Sequence, residues 1–326
     1  MKFLLVIVPF LFFSCSDTKP KSAASIDLDS LLVLYPDSVD LIIKYGNNCI
    51  AKYKFDQAMD PASRAFRLDS NNLEVRMLYA QVLNNRPNRS VAEIASAQRQ
   101  FKYIVKKQPK NTKALVGLAS TFSQQMDFDE SFKYLNKTLR IDPRYRDAYV
   151  MKGSNYLFLN KIDLAKSSYE TAIQQDPNFF EGYLMLGSLY QAENQVICIE
   201  YFKTAATLQP KNPEVLFSLA YAQQLFNQPD EALKVYRKMI QIDSSYHQAL
   251  NQIGVIKQYN DVDLDSAIYF YNSAIQTEPR FVEAWHNLGT CYEAQGEITR
   301  ALKSYAKALK YNPEFKLSRE RADALK

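Results

Sequence analysis

Glycine is scarce in this chain: eight residues in 326, alongside one tryptophan, two histidines and four cysteines. None of the glycines forms a Gly-x-Gly-x-x-Gly run or precedes a Lys-Ser or Lys-Thr pair, so no phosphate loop and no dinucleotide fingerprint is present. His247 and His286 stand in no metal-ligand spacing with cysteine or with each other, which removes the usual metal centres and histidine-based catalytic groups. Runs of five or more like charges are missing. The 40 basic and 35 acidic residues are spread along the length to a net charge of +5, and no nucleic-acid partner is expected. With no catalytic constellation left, the chain is not expected to be an enzyme, to carry a cofactor or metal, or to take a small-molecule substrate.

What is abundant points to helix. Apolar residues make up 47% of the chain, with 22 tyrosines and 19 phenylalanines, and Lys, Ala, Leu, Glu and Gln dominate its long periodic stretches. Residues 1–15 differ from the rest: Met1-Lys2, an almost unbroken apolar stretch from Phe3 to Phe13, then Ser14-Cys15. Eleven residues are too few to span a bilayer, which takes roughly 20, and read instead as an export signal. Phe12-Phe13-Ser14-Cys15 resembles a bacterial lipobox. That resemblance implies a signal peptide over 1–14, cleavage before Cys15 and lipidation of Cys15; an ordinary signal peptide with an incidental cysteine is the alternative. Residues 15–25 then form a polar tether, its ten flexible residues reaching roughly 18 Å. Cys49, Cys198 and Cys291, an odd number set far apart, read as small core residues rather than a disulfide framework.

The chain repeats. Trp285, Leu288, Gly289, Tyr292, Ala301, Tyr305, Ala308 and Pro313 occupy positions 4, 7, 8, 11, 20, 24, 27 and 32 of a 34-residue unit starting at Val282. In the same register, position 8 holds Gly46, Ala80, Ala119, Gly153, Gly187, Ala220, Gly254 and Gly289. Position 20 is equally small, from Ala58 to Ala301, and these two positions are the expected points where paired helices approach closely. Proline at position 32 (Pro109, Pro143, Pro177, Pro210, Pro279, Pro313) ends the second helix. This pattern resembles the tetratricopeptide repeat. The resemblance implies an all-α fold: an α-solenoid of about eight helix-turn-helix repeats forming a right-handed superhelix.

The units fall at 39–72, 73–111, 112–145, 146–179, 180–212, 213–246, 247–281 and 282–315. Leu28, Leu31, Leu34 and Pro36 suggest a half-repeat cap over 26–38, and 316–326 a charged C-terminal capping helix. In the long second unit, Asn84 to Arg89 is expected as a loop, followed by a capping box at Ser90-Val91-Ala92-Glu93. Asp60-Pro61 falls inside an expected helix, so that helix either kinks or restarts with Asp60 as its N-cap. Lys152, Gln223 and Lys257 sit at usually apolar positions, and looser packing is expected there.

Stacked hairpins line their inner wall with first helices, which leaves positions 2, 5, 9 and 12 free for a protein or peptide partner. Position 5 reads Ile43, Met77, Val116, Val150, Leu184, Phe217, Asn251 and His286; position 9 reads Asn47, Gln81, Ser120, Ser154, Ser188 and Tyr221 in the first six units. The alternative, that these residues only pack neighbouring hairpins together, stays open. Family members that grip acidic C-terminal peptides pair a lysine at position 5 with an asparagine at position 9. Here Asn47 matches but Ile43 replaces the lysine, which disfavours that role. Acids at position 2, Glu74 among them, are read as complementing helix dipoles.

The expectation is a lipid-anchored repeat scaffold on the bacterial outer membrane, facing the periplasm, that assembles or regulates an envelope complex. Ser16 after the cysteine favours the outer membrane, and Asp17 leaves surface exposure open. The alternatives are a soluble cytoplasmic adaptor and an accessory subunit that recruits a cell-wall or secretion enzyme.

Overall fold

The computed structural model describes residues 27–325. They form two compact units that divide between Gln125 and Met126. Unit 1 holds α1 (Leu28–Leu34), α2 (Val39–Ala51), α3 (Phe55–Leu68), α4 (Leu73–Asn85), α5 (Val91–Lys107) and α6 (Thr112–Gln124). Unit 2 begins with α7 (Phe128–Ile141), α8 (Arg146–Phe158), α9 (Ile162–Gln175), α10 (Phe180–Ala192), α11 (Cys198–Leu208) and α12 (Pro213–Leu225). It continues through α13 (Pro229–Ile242), α14 (His247–Tyr259), α15 (Leu264–Thr277), α16 (Val282–Ala294), α17 (Ile298–Tyr311) and α18 (Lys316–Ala324). No strand occurs among the described residues, and consecutive helices pack as pairs. The fold is all-α, an α-solenoid of helical hairpins.

The small residue at position 8 makes room for a ring. A Cβ added to Gly153, Gly187, Gly254 or Gly289 would lie 2.5–2.6 Å from the ring of Tyr169, Phe202, Tyr271 or Tyr305, the position-24 residue of the same hairpin. The tight contact therefore runs from position 8 to position 24, where the repeat pattern pointed to position 20. Position 20 is nevertheless buried throughout, from Ala58 to Ala301. In unit 1 the same space is filled across hairpins, with Leu78 seated against Gly46.

Turns between hairpins are held by local hydrogen bonds. The carboxylates of Asp142 and Asp176 accept the N–H groups of Arg144 and Asn178 at 2.9 and 3.1 Å, bridging a proline whose ring pre-sets the backbone. The position-4 side chain then reaches back to that proline's carbonyl: Tyr149 Oη donates to Pro143 at 3.0 Å and Trp285 Nε1 to Pro279 at 2.9 Å. Arg319 does the same to Pro313, so α18 starts as the first helix of another hairpin would.

Several expectations are corrected. α3 runs unbroken through Pro61, and Asp60 caps nothing because the helix begins five residues earlier at Phe55. Asn84 and Asn85 belong to α4, where buried Asn84 donates to Ser120 at 3.0 Å and accepts from Gln124 at 2.9 Å. The loop is thus confined to 86–90, and the Ser90–Glu93 capping box follows it as read from the sequence. In α1 it is Leu32 that is buried, while Leu34 is exposed. Gln223 is buried, Lys152 Nζ donates to Asn136 at 3.2 Å and Lys257 pairs with Asp261 at 2.6 Å, so these positions are filled or bonded. Cys49, Cys198 and Cys291 are free and buried.

Candidate partner-binding surface

In unit 1 the first helices α2 and α4 meet the turn before α6 in a cleft of about 390 Å³. Ile43 and Asn47 of α2, Met77 of α4 and Lys113 of α6 line it, together with Leu73, Glu74, Leu78, Gln108 and Asn111. Ile43 is half-buried on the core made by Ile42, Val75 and Leu78, which holds its side chain in place as an apolar floor. Asn111 is spent on structure: its Oδ1 accepts the Ala114 N–H at 3.0 Å and its Nδ2 donates to Gln108 at 2.8 Å. The side chains of Asn47, Glu74 and Lys113 make no hydrogen bond or ion pair among the described residues, and all three are exposed. The cleft therefore offers an apolar floor, a free amide and one charge of each sign.

The repeat register had placed position 2 on the inner face, with Glu74 among its acids, whereas Lys113 was not singled out. Both occupy position 2, one turn before position 5 on the same helix face, and that register was the available signal. The other unit-1 positions are less free. Val116 is buried, and Ser120 Oγ is engaged by Asn84 and by Gln124 at 3.2 Å. Gln81 is half-buried, with its Oε1 enclosed and unpartnered.

Unit 2 divides into an open and a closed stretch. Ser188 and Tyr221 are exposed, beside half-buried Leu184 and Phe217. The Phe217 and Tyr221 rings stack with centroids 6.0 Å apart and planes at 7°. Ser154 Oγ donates to the Val150 carbonyl of its own helix at 3.2 Å and lies 3.2 Å from the Tyr169 hydroxyl, while the Val150 side chain is half-buried. Further along, Asn251 is buried and accepts from Asn287 Nδ2 at 3.0 Å, so it offers nothing to a partner. His286 lies under α18: its Nδ1 is 3.0 Å from the Ser318 hydroxyl, and the rings of Tyr305 and Phe315 flank it. Cys15 lies outside the described residues.

Tyrosines of the second helices also reach this wall, which the repeat pattern did not reveal. Tyr236 Oη donates to Gln224 at 3.2 Å, Tyr271 to Gln258 at 2.9 Å and Tyr305 to Glu293 at 2.7 Å, each acceptor standing at position 12. Gln258 Nε2 passes the chain on to Thr290 of the next hairpin at 3.0 Å. Burial raises the pKa of all three phenols, so they act as donors at neutral pH.

The docking of α18 carries a pH dependence. Burial lowers the His286 pKa below its ordinary 6.5, Arg321 lowers it further, and Glu293 opposes both. The unfolded segment then binds more protons than the docked one, so the stability of the C-terminal end is full above 6.5 and declines as pH falls below it. Amide protection factors in α18 are expected to drop on going to about pH 5.5. His286→Gln should flatten that dependence.

Family models for the tetratricopeptide repeat match residues 147–179, 214–245 and 282–315. The chain is a tetratricopeptide-repeat protein. A chloroplastic tetratricopeptide repeat domain-containing protein of Arabidopsis thaliana, PYG7, is 37% identical over 84 residues, 26% of this chain and 28% of that protein. The BBSome complex member BBS4 homolog of Drosophila melanogaster is 28% identical over 163 residues, 48% of this chain and 33% of that protein. The matches thus span about a third or less of these relatives. Among solved structures, the C-terminal part of a repeat-containing protein from Cytophaga hutchinsonii superposes with a TM-score of 0.61 at 15% identity. That match covers 75% of this chain and 98% of the other, and it bears on the fold alone. Tetratricopeptide arrays are generally non-catalytic protein-interaction scaffolds.

Proposed function

We propose that this scaffold is a lipid-anchored component of the bacterial outer membrane, facing the periplasm, which holds a peptide segment of an envelope-complex partner in the unit-1 cleft. The observation that carries the binding site is the set of unspent groups there: Asn47, Glu74 and Lys113 above Ile43 and Met77. An apolar side chain of the partner is expected to seat on Ile43 and Met77, with Asn47 bonding its backbone. Glu74 and Lys113 then favour a segment that carries both charge signs. The anchor rests on Phe3 to Phe13 followed by Cys15, and the choice of the outer membrane on Ser16.

Two measurements test the two halves. Cells fed an alkyne fatty acid should label the wild-type chain and leave Cys15→Ala unlabelled; an unlabelled wild type, or a labelled variant, overturns the anchor. Capture from solubilised envelopes should recover partners with the wild type and lose them by more than about tenfold with Ile43→Asp plus Met77→Asp, since each buries a charge against the apolar floor. Equal recovery by both, with unchanged helicity by circular dichroism, removes the cleft from the reading.

A further inference from the structure

Charge in unit 1 is unevenly placed. No aspartate or glutamate occurs between Glu93 and Asp127, whereas Arg99, Lys102, Lys106, Lys107, Lys110 and Lys113 all fall there. The helices packed against α5 do not restore the balance: α6 carries no acid, and α4 carries only Glu74. Glu93, the one acid of α5, caps its own helix and bonds Arg86 at 2.7 Å. It also stands roughly 20 Å along the helix from Lys106, at about 1.5 Å per residue, which exceeds the screening length of about 10 Å. Asp69 is spent on the turn before α4, where it accepts the N–H groups of Asn71 and Asn72 at 3.3 and 3.2 Å.

The cations collect beside the cleft already described. Lys106 and Lys107 end α5, Lys110 stands in the proline turn that follows, and Lys113 lies in the first turn of α6. All four are exposed, and none has a hydrogen bond or ion pair among the described residues. Gln108 and Asn111 wall both the cleft and a second hollow of about 500 Å³ whose other lining is Pro109 and Lys110, so the two adjoin at this turn. Lys113 is the informative member. Position 2 is acidic at Asp40, Glu74, Asp147, Glu181, Glu214 and Glu283, where a carboxylate complements the helix N-terminus. A lysine there opposes the dipole, and the first turn of α6 has no acid to offset it, so α6 itself gains nothing from the exchange.

We infer that the peptide segment held in the unit-1 cleft is acidic where it leaves over the 108–111 turn, its carboxylates meeting Lys113, Lys110 and the Lys106–Lys107 pair. The inference rests on the cleft reading above and names the chemistry of its partner: an apolar anchor on Ile43 and Met77, followed by a run of aspartate or glutamate. A peptide fits better than a lipid or a nucleic acid, because the cations border a cleft of side-chain size with an apolar floor and the free amide of Asn47. The lysines stand at a helix end, in a turn and at position 2, so this grip differs from the lysine–asparagine pairing of positions 5 and 9 that Ile43 disfavours.

Fluorescence anisotropy on the full chain tests it, with a labelled peptide that carries a leucine pair followed by a run of glutamates, and a counterpart whose glutamates are glutamines. The glutamate peptide should bind about tenfold tighter at low ionic strength, as several exposed charge pairs add, and the preference should fade as salt rises toward roughly 0.5 M. Lys106→Gln, Lys107→Gln and Lys110→Gln together should remove that preference and leave the affinity for the glutamine peptide unchanged. Lys303→Gln, Lys310→Gln and Lys316→Gln, equally exposed, withdraw the same charge from unit 2 and should preserve it. Absence of a glutamate preference, a preference that survives the first triple change, or an equal loss with the second overturns the inference. Ile43→Ala plus Met77→Ala reads the cleft separately and should weaken both peptides alike. If it does so while the unit-1 lysine change has no effect, the acidic extension fails and the cleft stands. If only the lysine change acts, the cleft reading fails and the single-segment inference with it. Flotation on phosphatidylglycerol vesicles that needs the same lysines, without any glutamate preference, overturns the inference in favour of a lipid contact.

Discussion

Replacing Gly187 by leucine is expected to lower stability by about 3 kcal/mol or more, the upper range for overpacking a rigid site. A Cβ alone would lie 2.6 Å from the Phe202 ring, before any of the remaining leucine atoms are placed. Phe202 cannot swing aside, because it is 1% exposed and enclosed by Cys198, Ile199, Leu219 and Ala222. The strain must therefore open the α10–α11 hairpin or displace α12. In a repeat array such damage is passed mainly to nearest neighbours, so urea unfolding should show both a lower midpoint and a shallower slope as the transition loses cooperativity. Adding Phe202→Ala to Gly187→Leu should recover part of the loss, with a coupling of at least about 0.5 kcal/mol. An unchanged midpoint for Gly187→Leu would mean that the ring does not set the spacing of the pair.

Tyr271→Ala is expected to be comparably severe, about 3–5 kcal/mol, as for other large-to-small changes of buried aromatics. Its ring is fully buried against Gly254, Leu288 and Cys291, and its hydroxyl holds Gln258, which in turn holds Thr290 one hairpin away. Alanine would leave a cavity at the joint between two hairpins and remove the donor to Gln258 Oε1. Tyr271→Phe keeps the ring and should cost only about 1–2 kcal/mol, mostly from leaving Gln258 Oε1 without its donor. The gap between the two variants in chemical denaturation separates the packing role from the bonding role. If both cost the same, the ring contributes little and the hydrogen-bond chain is the main link between these hairpins.

Both predictions concern residues that the repeat register had marked, and they show where that register stops. Small residues at position 8 and large ones at position 24 were legible as a pattern, because helix pairing recurs with one spacing and selects the same side-chain volume each time. That the glycine faces the ring at position 24, rather than a small residue at position 20, depends on helix rotation within the pair, which spacing alone does not encode. Pro61 illustrates the same limit. As a local signal it reads as a helix break, yet α3 continues through it, because burial of Ala58, Ala62 and Ala65 on one face outweighs one missing hydrogen bond.

The inner wall was legible in outline only. Positions 5 and 9 lie on one helix face wherever the repeat holds, so Ile43, Asn47 and Met77 could be named without coordinates. Whether a side chain there is available depends on what neighbouring elements do with it. Asn251 is taken by Asn287 and His286 by Ser318, whereas Asn47 is left free. Glu74 and Lys113 join the cleft because α4 and the start of α6 come together beside α2, a juxtaposition across some 70 residues of chain.

By itself the sequence determined the helical class, the 34-residue period, the capping box at Ser90 and the burial of its three later cysteines, because each follows from local geometry repeated along the chain. Only the tertiary structure decided which wall residues remain unspent, that the lysines around the 108–111 turn adjoin the unit-1 cleft, and that α18 covers His286. Those outcomes depend on how elements distant in sequence divide a limited number of hydrogen-bond partners and a limited buried volume, and no single stretch of chain contains that information.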